Sequence, residues 1–275
     1  MNMIKFEHTI FALPFAFLGA FLASEEAPPL RESLLILVGM VAGRTAAMGF
    51  NRIVDLPYDA ENPRTKDRPL VTGAIKKREA WIMVTVSGAF FFLAAYLLNP
   101  LAFKLSPWIF IILLAYSYTK RFTPLCHVFL GLAIGIAPTA GWIAVNGTIS
   151  VLPILVSVGV LFWVAGFDIL YACLDKEFDE RTGLRSIPAA IGIKNAFVVS
   201  ALFHVAAFFT FLLVGIEADL GIPYYLGLIV VSVLFVMQRR VVRPDDLSRM
   251  DLAFFTLNGL VSLILFCFTA IDLIF

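Results

Sequence analysis

NRIVDLPYDAENPRTKDRPL, residues Asn51–Leu70, holds four carboxylates, four arginines or lysines, three prolines and two asparagines. The chain around it is 60% hydrophobic and only 15% charged. Its 275 residues include 27 phenylalanines, and its mean hydropathy is +0.91. A water-soluble domain needs a polar shell, and so few polar residues cannot supply one. Long apolar runs recur from Ile10 to Phe275. The composition therefore predicts an all-α, polytopic membrane bundle. The opening stretch must be a polar connector at one membrane face, and its charge needs a reason.

Nine spans are expected, over 10–24, 34–50, 80–98, 107–119, 124–145, 151–167, 196–215, 223–237 and 252–273. Several are short for a hydrocarbon core of about 30 Å. Many spans follow the first one, so it is not expected to be a cleaved leader. Residues 1–275 are expected to form one transmembrane domain, because no connector is long enough for a separate one.

Basic residues gather on one side of this arrangement. That side receives Lys5, the 51–80 connector, Lys120 and Arg121, the 176–194 connector, and Arg239, Arg240, Arg243 and Arg249. The other side receives little beyond Arg31 and Lys104. The positive-inside rule makes the basic side cytoplasmic, with the N-terminus inside and the C-terminus outside. The two long polar connectors follow the second and sixth spans, which hints at an internal pseudo-repeat.

Both long connectors carry spaced carboxylates. Asn51, Asp55 and Asp59 stand at i, i+4 and i+8. In FDILYACLDKEFDERTG, Asp168, Asp175 and Asp179 stand at i, i+7 and i+11. Each spacing keeps its side chains close to one helix face. Pro57 is expected to kink the first helix, leaving Asp59 just past the bend. Two acidic rows facing each other need a cation between them. Oxygen ligands at helix ends suit Mg²⁺, which bridges carboxylates to phosphate oxygens. Arg52, Arg64, Lys66, Arg68 and Lys120 lie near in sequence and suit the outward phosphate oxygens. Together these groups call for a polyanion, and a diphosphate fits best.

Other polar residues are read more plainly. Tyr116 and Lys120, in AYSYTKRF, are expected one turn apart on a shared face, and Tyr171 lies between Asp168 and Asp175. Glu7 and His8 open the first span. Arg44 interrupts an apolar span, where an unpaired charge is costly. His127, His204 and the four tryptophans read as packing or interface residues. Cys126, Cys173 and Cys267 form no disulfide or metal pattern. Gly131 and Gly135 read first as helix-packing positions. No phosphate-loop or dinucleotide fingerprint is present, and the scattered basic groups give no reason to expect nucleic acid.

These motifs resemble those of the UbiA superfamily of intramembrane prenyltransferases. Its N-x3-D-x3-D element stands as Asn51, Asp55 and Asp59. Its D-x2-Y-x3-D-x3-D element stands as Asp168, Tyr171, Asp175 and Asp179. Its Y-x3-K element is Tyr116 and Lys120. The opening KFEHTIFALPFAFLGA also resembles the family's first helix. The resemblance implies nine helices around a central cavity and an apolar tunnel for the prenyl chain. It implies two Mg²⁺ ions holding a polyprenyl diphosphate. One would lie on Asn51, Asp55 and Asp59, the other on Asp175 and Asp179. The resemblance is greatest to bacterial members that prenylate 4-hydroxybenzoate, with dihydroxynaphthoate-using relatives of menaquinone synthesis as the alternative.

On this reading Lys120, Arg64 and Arg68 bind diphosphate. Tyr116 and Tyr171 orient its oxygens or line the reacting centre. Asp168 holds a metal-bound water or positions the aromatic acid. Lys5, His8 and Arg44 are the candidates for the acid's carboxylate. An isoprenoid-diphosphate hydrolase needs the same metal site without an acceptor pocket. A transporter would place its interrupted helices at mid-membrane, whereas the charge here lies at one face.

Overall fold

The computed structural model describes residues 9–275, with side chains from Ala12 onward. Lys5 and His8 lie outside the described residues. Within them the chain is helical with no strand, only a single bridge between Arg243 and Asp246. The long helices are α1 (Thr9–Ser24), α2 (Leu30–Val54), α4 (Lys77–Leu98), α5 (Pro100–Ala115), α6 (Cys126–Asn146), α7 (Val151–Ala172), α9 (Ile187–Glu217), α10 (Ile222–Val241) and α11 (Asn258–Ile274). Two short ones, α3 (Leu56–Glu61) and α8 (Lys176–Thr182), sit in the polar connectors. Among the described residues eight helical segments are long and apolar enough to cross a membrane, and Ala12–Ser24 is a shorter apolar one. All nine expected spans are present.

Most spans are longer than the apolar runs predicted. The second begins at Leu30 and ends at Val54, and the seventh begins at Ile187. Backbone hydrogen bonding carries each helix beyond its oily part, so hydropathy marks the membrane-embedded portion rather than the helix. The seventh is also broken at Gly192, whose φ of 80° only glycine adopts readily.

The helices pack in two regions. One core joins α1, α7, α9, α10 and α11 through Phe15, Trp163, Phe211, Tyr224 and Val261, all essentially buried. Here Tyr224 donates its hydroxyl to the Phe211 carbonyl at 2.6 Å, satisfying a polar group inside an apolar cluster. The α1–α6 contact is close enough to need two glycines. A Cβ on Gly19 would lie 1.9 Å from the Pro138 carbonyl oxygen, and one on Gly141 would lie 1.9 Å from that of Ala16. Gly131 and Gly135 likewise seat α6 against the α7 backbone at Leu161 and Ser157. They pack helices, as the sequence suggests. On the other side, α1, α2, α4, α5 and α6 enclose an apolar cavity of about 260 Å³. Small residues such as Gly39, Gly43, Ala95, Ala102 and Ala137 make up much of its wall.

Candidate active site

Each acidic motif is built as helix, break and short helix. Helix α2 ends at Val54 because Pro57 lacks an amide hydrogen and its ring crowds the preceding turn. Asp55 sits at the break, and α3 runs only to Glu61 because Asn62 turns extended ahead of Pro63. In the second motif α7 gives way to a 3-10 turn, Cys173–Asp175. Asp175 then stands at the N-terminal junction of α8, which stops at Gly183 in the left-handed region with φ 72°. Asp55 and Asp175 thus occupy equivalent junctions, and Asp59 and Asp179 fall in the first turns of the two short helices. The pseudo-repeat hinted at by the connectors is a repeat of backbone form.

The two breaks face one another across a polar pocket of about 210 Å³. Asn51, Asp55, Asp59, Asp168, Asp175, Asp179, Arg64, Arg68, Lys120, Tyr116 and Tyr171 all line it. Arg44 lines the apolar cavity instead. Tyr116 and Leu130 line both spaces, so the two adjoin there. Tyr116 and Lys120 are not a turn apart on an α-helix. They lie on a tighter 3-10 segment, Tyr116–Arg121, that ends the fourth span.

Charges in the pocket are paired both within and across the motifs. Arg64 binds Asp175 through both a guanidinium Nη and Nε, the latter at 3.0 Å, and donates to the Tyr171 hydroxyl at 2.9 Å. The Asn62 amide adds a bond to Asp175 at 3.0 Å. Arg68 reaches both oxygens of Asp59 at 2.6 Å. Lys120 lies 3.5 Å from Asp179. Asn51 donates to Asp55 at 2.8 Å. Arg121 donates to the Val54 carbonyl at 2.8 Å and stacks over Tyr118 and Tyr58. Arg64 ties its connector to the second motif at Asp175, and Arg68 ties back to Asp59 of its own motif, so the site is braced by charge-assisted bonds.

The carboxylates are nonetheless under-served. Asp179 is fully buried, and among the described residues its Oδ2 has no hydrogen-bond partner. Burial, and then the neighbouring Asp59 carboxylate, push the Asp55 carboxyl above its ordinary range, against the pull of Lys120, Arg121 and Asn51. An orphaned carboxylate oxygen and a strained acidic pair both fit a hard cation with oxygen ligands. Among the described residues no three acidic, histidine or cysteine side chains converge as a ready metal cage. The oxygen donors line one pocket but are engaged by arginine and lysine.

Three members of the site carry no motif signal. His127, read as a packing residue, is buried but not idle. Its Nδ1 is 2.7 Å from Asp168, and its Nε2 accepts the Ile187 amide at 3.3 Å. The Asp168 carboxylate accepts, so Nδ1 carries a proton that points to Asp168. Asn62 and Arg121 are the others. Each finds its partner far along the chain, which no local spacing announces. His127 alone had a usable clue, because it stands at the polar end of its span. His204 packs as expected, stacked on Phe235 at 4.7 Å. The three cysteines are free.

A membrane bundle that sets an acidic and basic pocket against an apolar cavity has the layout of an intramembrane prenyltransferase. A model of the UbiA prenyltransferase family matches residues 12–260. The chain is 34% identical over 227 residues to a 4-hydroxybenzoate octaprenyltransferase of Xanthomonas euvesicatoria, covering 82% of this chain and 74% of that protein. It is 37% identical to the apo structure of a UbiA homolog from Aeropyrum pernix K1, with a TM-score of 0.88 and 98% of both chains covered. A UbiA homolog from Archaeoglobus fulgidus bound to DMAPP and Mg²⁺ shares the fold, at 21% identity and a TM-score of 0.73, covering 99% of this chain and 98% of that one. The chain belongs to the UbiA prenyltransferase family, and it is an integral membrane protein.

Proposed function

We propose that this protein transfers a polyprenyl group from polyprenyl diphosphate to a ring carbon of 4-hydroxybenzoate, releasing diphosphate, in quinone biosynthesis. The observation that carries the reading is the adjoining pair of spaces. One is polar and suits a diphosphate, the other is apolar and suits its chain, and Tyr116 lines both. The names of the bacterial relatives favour hydroxybenzoate over a dihydroxynaphthoate. The basic side of the bundle is the cytoplasmic one, in a bacterial inner membrane, so a water-soluble diphosphate head enters from the cytoplasm.

Asn51, Asp55 and Asp59 would hold one Mg²⁺, and Asp175 and Asp179 the other. Mg²⁺ supplies charge neutralisation for the departing diphosphate. Arg64, Arg68 and Lys120 turn from carboxylates to phosphate oxygens when the diphosphate binds. The carboxylates they release would then be the ones to hold metal, which would leave no buried charge unpaired. Cleavage of the allylic C1–O bond leaves the electron pair on diphosphate and positive charge on the chain. The ring carbon beside the phenolic hydroxyl bonds to C1, and its proton is then lost. Asp168, braced by His127, positions the phenol of the acceptor. Arg44 takes the acid's carboxylate from within the apolar wall. That wall excludes water that would otherwise capture the cation.

Asp55→Ala and Asp175→Ala test the clamp. Each is expected to abolish Mg²⁺-dependent transfer, measured as labelled prenyl product, while circular dichroism shows the helical bundle intact. Near-normal turnover in both variants contradicts the site.

A further inference from the structure

The last membrane segment does not begin as an α-helix. Residues Leu252–Leu257 form a π-helix that runs into α11. A π-turn inserts an extra residue per turn and shifts which side chains face inward, and such turns concentrate at functional sites. Here a buried polar network holds the bulge. Asn258 donates its amide to the carbonyls of Ala253 at 3.3 Å and Phe254 at 3.0 Å, the positions where the helical ladder is displaced. Its Oδ1 in turn accepts from Trp163 Nε1 at 3.1 Å and Gln238 Nε2 at 2.6 Å. Asn258, Gln238 and Trp163 are all essentially buried. Such a network is expensive to bury and serves to fix one geometry.

What that geometry delivers is Phe254. The ring lines the apolar cavity together with Phe167. It stacks on Tyr171 with ring centroids 4.0 Å apart, and Phe167 meets it edge-on at 5.2 Å. Tyr171 lines the polar pocket, and its hydroxyl is held by Arg64. Phe254 therefore stands one ring away from the acidic and basic clamp, on the cavity side. The carbon that leaves the diphosphate must pass between these two spaces.

The geometry points to Phe254 as a catalytic residue whose ring stabilises the allylic cation and screens it from water, with Asn258 positioning it through the π-turn. This inference rests on the prenyl-transfer reading. When the C1–O bond breaks, its electron pair leaves with diphosphate, and the positive charge spreads over the allylic carbons. An aromatic face is the one neutral, non-nucleophilic surface that attracts such a charge without trapping it. A carboxylate or hydroxyl there would form a bond to the cation.

Phe254 is tested by replacing it with phenylalanines carrying one, two and three ring fluorines, in the full-length detergent-solubilised protein. Fluorine withdraws electron density from the ring face while nearly keeping its shape. Turnover with geranyl diphosphate, Mg²⁺ and 4-hydroxybenzoate is expected to fall stepwise with fluorine count, while KM for both substrates stays within about threefold. Phe254→Leu is expected to lower kcat roughly tenfold to thirtyfold and to raise the fraction of prenol, the water-captured product. Flat turnover across the fluorine series overturns the proposal, as does a Leu variant that changes KM alone. Diphosphate release without acceptor is measured on the same series. If wild-type protein releases diphosphate but prenylates no aromatic acid, the acceptor reading fails, and the slope of release against fluorine count still decides the role of Phe254.

Discussion

Arg44 is a guanidinium in an apolar wall. Among the described residues its Nε is buried and unpartnered, and one Nη lies 3.5 Å from the Met48 sulfur. It stands roughly 15 Å along α2 from the polar end, at about 1.5 Å per residue. Burying a charge without an anion is costly, so an anionic ligand is the natural complement. Arg44→Ala is expected to raise KM for 4-hydroxybenzoate about tenfold or more, the worth of one charge-assisted hydrogen bond. KM for the prenyl diphosphate is expected to change little. Steady-state kinetics with each substrate varied in turn checks this, and an unchanged acceptor KM contradicts the assignment. Arg44 and the spaced aspartates were legible in the sequence because each breaks a local pattern. His127, Asn62 and Arg121 were not. Their partners Asp168, Asp175 and Asp55 lie 41, 113 and 66 positions away, so only the folded chain brings them together.

Helices α1 and α6 touch backbone to backbone at Gly19 and Gly141, and this contact forms one wall of the apolar cavity. In a membrane, packing of this kind replaces the hydrophobic drive that assembles soluble helices. Gly141→Ala must push the Ala16 carbonyl aside. It is expected to destabilise the bundle by about 1–3 kcal/mol, even though alanine favours helix by about 1 kcal/mol over glycine. A lowered thermal midpoint in detergent checks this, and an unchanged or raised one contradicts the close contact. At this scale the sequence predicts the number and order of spans, because hydropathy reports what the bilayer demands. It misses the helix ends, the 3-10 turn at Tyr116, the second break at Asp175 and the π-turn at Leu252. The helix ends extend past the apolar runs, and the other three are changes in hydrogen-bond step, neither of which apolar periodicity registers. The last three lie at or beside the polar pocket or the cavity, where departures from regular helix place side chains for chemistry.

Across the whole molecule the polar pocket and the apolar cavity share walls in α2, α6 and α7 and meet at Tyr116 and Leu130. The pocket is made by the two breaks and the end of the fourth span, and the cavity by the depth of α1, α2, α4, α5 and α6. An amphipathic donor fits only across both. Its head needs the charged end and its tail needs the oily depth, so the molecule as a whole is built to the shape of a lipid diphosphate. The account is tested most directly by offering purified protein, with Mg²⁺ and geranyl diphosphate, three conditions in parallel: 4-hydroxybenzoate, a dihydroxynaphthoate, and no acceptor. The result predicted is a carbon-prenylated hydroxybenzoate formed in step with diphosphate release, with little release when acceptor is left out. Release of diphosphate at the same rate in all three, with prenol as the sole product, would contradict it.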